Sequence, residues 1–282
     1  MKPGFIIRRM LEQEIAEIAI EWAAKEGWNP GLDDAACFYA ADQQGFLIGE
    51  LDGQPVAVIS AVVYDNRFSF MGFYIVKPEF RGRGYGMQVW RAALDYLGSR
   101  NIGGDGVLER IKDYETQGFR AYYKNRRYQG LGSGRAGSAG LIEIQKVDFE
   151  KLVSYDDAVF PAKRHQFLKC WIGRPQTKGY ALLNGEKLSG YGVIRPCYKG
   201  YKIGPLFADN AETAEKIFNA LRGEILLNQE FFLDIPETNP EAINLAEKYG
   251  MKVVFETARI YSKFLPATPL EKVYGVTSFE LG

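Results

Sequence analysis

The sequence predicts an α+β protein made of two similar halves, each a mixed, mostly antiparallel sheet flanked by helices. Three observations carry this: short apolar runs separated by turn signals, amphipathic helices interspersed among them, and an order of elements that restarts after residue 140. At roughly 150 residues per domain, 282 residues also suggest two domains. The boundary is placed so that they span 1–135 and 136–282.

Residues 5–8 read as a short strand. A helix follows, with Met10, Leu11, Ile15, Ile18 and Trp22 at helical spacing, and Trp28-Asn29-Pro30-Gly31 stops it. Asp33 is placed to cap a second short helix ending near Ala40. Strands at 45–51 and 55–64 flank Asp52-Gly53, a hairpin signal, and an aromatic and β-branched run at 68–76 completes an antiparallel meander. Met87, Trp90, Leu94 and Leu97 then share one face of a helix. A fifth strand ends near Gly104 or Asp105, and a short helix carries Tyr114 and stops at Gly118, where Phe119 enters the next strand.

Residues 130–140, mainly Gly, Ser and Ala, read as a flexible or turn-rich junction. Beyond it come strands near 179–183 and 189–194, a helix near 212–222, a strand near 231–235 and a helix near 240–249. Tyr114-Glu115-Thr116-Gln117-Gly118-Phe119 in the first half stands where Ala246-Glu247-Lys248-Tyr249-Gly250-Met251 stands in the second. The shared order supports a divergent internal repeat.

Composition narrows the function classes. Thirty-five basic residues balance 35 acidic ones, which argues against nucleic-acid binding through bulk charge. The longest apolar run, 55–64, falls far short of the roughly 20 residues that span a bilayer. Arg8, Arg9, Glu12 and Glu14 do not fit a secretory signal. One histidine, His165, excludes multi-His metal sites, and its expected role is an exposed or structural one. Cys37, Cys170 and Cys197 are odd in number and widely spaced, so neither a disulfide framework nor a cysteine zinc site is expected. A reduced, cytoplasmic, metal-free protein is the expectation.

The segment richest in chemistry is Arg81-Gly82-Arg83-Gly84-Tyr85-Gly86, between a strand and a helix. Glycines let backbone N–H groups approach a ligand, and the helix start adds unpaired N–H groups and a positive dipole end. A pyrophosphate suits such a place. Lys77, Arg81, Arg83 and Arg91 against the single acidic Glu79 make the patch basic in a neutral chain. The dinucleotide spacing G-x-G-x-x-G fails at Met87 and Val89, and no Walker Gly-Lys-Ser/Thr occurs here.

Residues 76–86, with Tyr114-Glu115-x-x-Gly118-Phe119 downstream, resemble the coenzyme A loop (R/Q-x-x-G-x-G/A) and following tyrosine of the GNAT acyltransferase superfamily. The resemblance covers about residues 5–128. Asn125-Arg126-Arg127-Tyr128, Gly190–Pro196, Gly204–Asp209 and the segment Gly275–Gly282 resemble a subgroup with a second, degenerate acetyltransferase-like domain. The resemblance implies tandem GNAT-like folds and an N-acetyltransferase that moves the acetyl group of acetyl-CoA directly to a primary amine, through a tetrahedral intermediate. It implies that the fourth and fifth strands splay to admit the pantetheine arm, which pairs with backbone groups of Tyr74, Ile75 and Val76. The Val76 N–H would lie near the thioester carbonyl, where a fixed donor stabilises an oxyanion. Arg81, Gly82, Arg83, Gly84, Tyr85, Gly86 and Met87 would hold the diphosphate.

Tyr114 matches the family tyrosine that protonates the departing thiolate. The amine also needs a base. Many relatives carry a glutamate on the fourth strand, but residues 68–74 contain no carboxylate. Asp105 and Glu109 are the nearest candidates, and Glu50 and Asp65 are more remote. In the second half, residues 202–209 are read as the counterpart of the phosphate loop; they have one glycine, no arginine, a proline and Asp209, and the tyrosine position is Ala246. That half is expected to be catalytically silent, with shaping the acceptor site, packing, or a homodimer contact as its open roles. The rival expectation is a non-catalytic acyl-CoA sensor or scaffold.

Overall fold

Among the described residues, thirteen strands join in one continuous sheet. The computed structural model describes residues 4–135 and 137–282. The first half supplies β1 (Phe5–Arg9), β2 (Phe46–Leu51), β3 (Gln54–Val63), β4 (Phe68–Val76), β5 (Asn101–Val107) and β6 (Arg120–Leu131). The second supplies β7 (Ile142–Glu143), β8 (Lys178–Asn184), β9 (Lys187–Pro196), β10 (Tyr201–Ala208), β11 (Glu230–Pro236), β12 (Lys252–Tyr261) and β13 (Val273–Gly275). Their order is β1-β2-β3-β4-β5-β12-β6-β11-β10-β9-β8-β7, with β13 against β10.

That order reads the same from both ends when β1–β6 are exchanged with β7–β12. The α+β fold and the internal repeat are therefore present as expected, with one addition. The halves trade their sixth strands: β12 lies between β5 and β6, and β6 lies between β12 and β11. Each traded strand carries an arginine to a carboxylate directly opposite it. Arg259 of β12 faces Asp105 of β5 at 2.8 Å, and Arg127 of β6 faces Asp234 of β11 at 2.7 Å. All four side chains are buried, where two-pronged charge pairing offsets the desolvation cost.

The repeated hexapeptides end their helices in the same way. Gly118 (φ 87°) and Gly250 (φ 66°) take the left-handed conformation that favours glycine. Behind them the Phe119 amide donates to the Tyr114 carbonyl at 3.1 Å, and the Met251 amide donates to the Ala246 carbonyl at 3.0 Å. The turn at Asp52-Gly53 likewise has positive φ at both residues, the geometry of a tight hairpin.

Several expectations need correction. Gly130 and Leu131 are not a loose junction: they close β6, paired with Phe231 and Glu230. The amides of Gly132, Ser133 and Gly134 donate to carbonyls of Gln229, Arg222 and Ile225. Residue 136 of that stretch lies outside the described residues. Asp33 makes no capping bond to the helix Asp34–Ala41; instead Asp34 accepts from the Gly31 amide at 3.0 Å and takes Arg195 on both oxygens.

Cys37 and Cys170 are joined by a disulfide, with Cα atoms 5.2 Å apart, that pins the helix Asp34–Ala41 to the helix His165–Gly173. Sequence spacing gave no sign of it, because 133 residues separate the partners. Cys197 is free and buried, as expected of a small apolar residue.

Residues 202–209 are not a loop either. Through Ala208 they form β10, the counterpart of β4, and Pro205 sits where its ladder to β9 slips register. The true counterpart of the phosphate loop is only Asp209 and Asn210, against residues 77–84 in the first half. There the Asn210 side chain accepts from the Thr213 amide and occupies the start of the helix Ala211–Gly223.

Candidate active site

The site begins where two parallel strands part. β4 pairs with β5 only from Phe68↔Asn101 to Met71↔Gly104, and beyond that the two diverge. The cause lies in β4. Phe73 has φ 46°, rare for a bulky side chain, and the β3 ladder slips there between Ser60 and Val58. Such a bulge bends a strand and re-aims its backbone groups. Past the bulge the Lys77 amide donates to the Val56 carbonyl of β3. Backbone groups alternate along a strand, so those of Tyr74 and Val76 face the open side. There the Val76 carbonyl accepts from Arg81 Nε at 2.9 Å.

The second half supplies an internal comparison. β10 and β11 also pair in parallel only at their starts, from Tyr201↔Phe231 to Ile203↔Leu233. Their gap is filled by the chain itself: β13 pairs with Leu206 and Phe207 of β10, and the Val276 amide donates to the Asp234 carbonyl of β11. One gap is open and its twin holds an added strand.

The open gap leads to a cleft of about 560 Å³. Its walls include Tyr74, Ile75, Val76, Arg81, Met87 and Tyr114, together with Gly82, Gly84 and Gly86. Gly82 (φ 72°) and Gly84 (φ 80°) are left-handed, and a Cβ at either would meet nothing within 4 Å. The backbone there is bare toward the cleft. The helix Tyr85–Leu97 starts at Gly84 with no side-chain cap, which leaves its first amides for a ligand. Gly86 has a different reason: a Cβ would come within 2.7 Å of the Tyr74 hydroxyl, so glycine lets this helix lie close on β4.

The arginines are held in place. Arg81 pairs with Glu26 as well as the Val76 carbonyl, and the Arg83 guanidinium lies 5.6 Å from the Phe80 ring centre. Tyr85 is buried against Phe5, its ring 4.9 Å away. Neither Arg83 nor Tyr85 lines the cleft, although Phe80, on which Arg83 packs, does.

Tyr114 is held against Gly106, and its ring lies 5.8 Å from Trp90, which itself stacks near Tyr74 and Phe119. Burial is the main reason its hydroxyl pKa is pushed up to about 12, with the Tyr74 hydroxyl adding to it. Trp90 Nε1 is buried without a partner beside it.

Behind the cleft lies a smaller chamber bounded by Trp28, Gly72, Phe73, Phe255, Phe279 and Glu280, and reached past Tyr74 and Tyr114. Trp28, Phe279 and Glu280 were missed in reading the sequence; the one signal was that 275–282 belonged to a recognisable segment.

Of the expected bases, Asp105 lies inside β5, not at its end, and its side chain is fully covered. It accepts from Arg259 at 2.8 Å and from Asn125 Nδ2 at 2.7 Å. Asp234 holds the same place against Arg127 in the half whose gap β13 fills, so Asp105 joins strands there in the same way, and it also lines the smaller chamber. Glu109 is exposed on the turn Leu108–Arg110 and lines neither cavity. Glu50 is bound to Arg8, and Asp65 accepts from the Arg67 and Phe68 amides. His165 is partly exposed, 3.6 Å from Asp157, and Arg164 is sealed against Asp156.

Residues 12–124 match the acetyltransferase (GNAT) family, and residues 152–275 match the family described as acetyltransferase (GNAT) domain. A holothin acyltransferase from Pseudoalteromonas sp. (strain SANK 73390) is 29% identical over 267 residues, covering 94% of this chain and 91% of that protein. A putative acetyltransferase from Pyrococcus horikoshii has a similar structure (TM-score 0.84, 22% identity), covering 100% of this chain and 97% of that one. A tandem GNAT protein from the clavulanic acid biosynthesis pathway superposes with TM-score 0.63 and 13% identity, over 91% and 97% of the two chains.

Proposed function

Because the chain belongs to the GNAT acyltransferases, with two such domains in tandem, we propose that its first half moves an acetyl group from acetyl-CoA to a primary amine. The observation that carries this is the open edge of β4 running into a glycine loop and an uncapped helix start, while the twin gap is closed by a strand of the chain. A pantetheine arm fits the first gap as β13 fits the second. In this reading Tyr74 and Val76 bind the arm, and the amides at 82–87 hold the diphosphate.

Bound acetyl-CoA supplies the thioester carbon that the amine attacks. The chain supplies a backbone donor at Val76 for the carbonyl oxygen and a proton at Tyr114 for the leaving sulfur. With its pKa near 12, Tyr114 keeps that proton throughout the neutral and moderately alkaline range. No activity loss from its ionisation is expected up to about pH 10, the ordinary tyrosine value. Tyr114→Phe is expected to lower kcat by about 100-fold with little change in acetyl-CoA affinity. Steady-state thiol release and calorimetry check the two parts, and an unchanged kcat would remove Tyr114 from the reaction. The near full-length likeness to a holothin acyltransferase supports an acceptor of the holothin kind here. A panel of amines with mass analysis of the products tests this.

A further inference from the structure

Of the carboxylates the sequence offers as the base, Asp105 alone lines either cavity, and it is bound by Arg259 and Asn125; the segment 276–282 brings a second carboxylate to the same chamber. This segment lies across β4 beyond the point where β5 leaves it. A Cβ on Gly72 would sit 2.3 Å from the Glu280 carbonyl oxygen, so the backbone of Glu280 is packed on the stretch of β4 that lacks a carboxylate. The Glu280 side chain is 2% exposed, and neither of its carboxylate oxygens has a hydrogen-bond partner. An ion or donor left unpaired inside a protein is costly and calls for an explanation. Its neighbours are otherwise matched: Arg127 holds Asp234, and Arg195 holds Asp34. Among the charged groups around it, Lys202 Nζ is likewise buried without a hydrogen-bond partner.

We propose that Glu280 is the base of the acyl transfer and that the chamber it lines receives the amine group of the acceptor, whose body stays in the cleft. This rests on the acetyl-CoA reading above. The chamber has about 50 Å³ of free space, enough for an amine head but not for an aromatic ring, and is bounded by Trp28, Phe73, Phe255 and Phe279. Its two carboxylates are Glu280 and the Arg259-bound Asp105.

In the step assigned to Glu280, the substrate ammonium gives one proton to the carboxylate. The freed lone pair forms the C–N bond at the thioester carbon, and the C–S electron pair leaves on sulfur, which takes the Tyr114 proton. The second nitrogen proton restores Tyr114 through solvent, so an amide, a free thiol and one proton result.

Burial raises the Glu280 pKa above that of an ordinary glutamate; the positive charges of Lys202 and then Arg127 oppose this, Asp34 adds to the rise and Arg195 opposes it. A raised base pKa means that activity is lost on acidification at a higher pH than an ordinary glutamate would give.

The test uses the full chain with acetyl-CoA and the best acceptor among benzylamine, spermidine and a lysine peptide. Its kcat/KM is expected to show an acid limb with a midpoint above 4.5, the ordinary glutamate value. Glu280→Gln, which keeps the shape, is expected to lower kcat by about 100-fold or more and to abolish that limb, with acetyl-CoA affinity unchanged. Formate is expected to restore part of the activity of Glu280→Ala. A Glu280→Gln enzyme within threefold of wild type, or a wild-type profile flat down to pH 4.5, overturns the assignment of the base. Failure of the wild type to bind acetyl-CoA in calorimetry refutes the underlying reading instead, which keeps the two failures apart.

Discussion

Gly84→Glu is expected to weaken acetyl-CoA binding by at least 100-fold while leaving the protein folded. Gly84 sits at φ 80° at the start of the helix Tyr85–Leu97, so any side chain costs about 1–2 kcal/mol in backbone strain. There is space for it, since a Cβ meets nothing within 4 Å. The new carboxylate is even favourable to the helix itself, whose dipole attracts negative charge there. Against a diphosphate in the same place the effect reverses. Two like charges about 4 Å apart near a protein surface repel by roughly 4 kcal/mol, and each 1.4 kcal/mol is tenfold in affinity. Calorimetric titration with coenzyme A, paired with a thermal melt, separates the two effects. Equal affinity in a folded variant would place the nucleotide elsewhere.

Replacing both Cys37 and Cys170 by alanine is expected to cost the folded state about 4–5 kcal/mol, the chain-entropy value for a loop of more than 100 residues. The bridge ties residues 133 apart, and its helices pack within one apolar cluster that includes Phe38, Phe167 and Trp171. For a chain of this size such a loss lowers the melting temperature by about 10 °C. The same melting temperature in wild type and the double variant would show that packing alone holds these helices. Acetyl-CoA binding is expected to survive, because the bridge lies away from the glycine loop.

What the sequence revealed was mostly local. The bounds of β4 follow from a run rich in Phe, Tyr, Ile and Val, and Asp52-Gly53 fixed the hairpin of β2 and β3 because only a few residue types accept positive φ in succession. The glycine loop was legible for the same reason. The repeat showed through one hexapeptide because the glycine that ends the helix has a backbone requirement. What escaped was made by distant parts of the chain. No local pattern tells β12 to enter beside β5, or brings Cys170 to Cys37. Asp105 looked like a base because a carboxylate after a strand suggests chemistry; its partner Arg259 lies 154 residues away. The stretch 202–209 was misread because glycine and proline usually mark a turn, whereas here they sit at a slip in a strand ladder. Glu280 was invisible because its meaning comes from Gly72, more than 200 positions earlier.

The trade of β6 and β12 makes the two halves a single unit of inheritance. A gene fragment ending near residue 135 would encode β6 without either of its neighbours, β12 and β11, and Arg127 without Asp234. Recombination that joined either half to an unrelated protein would deliver a polypeptide with unsatisfied edges prone to self-association. Whatever the chemistry of the second half, removing either half takes a strand out of the other's part of the sheet.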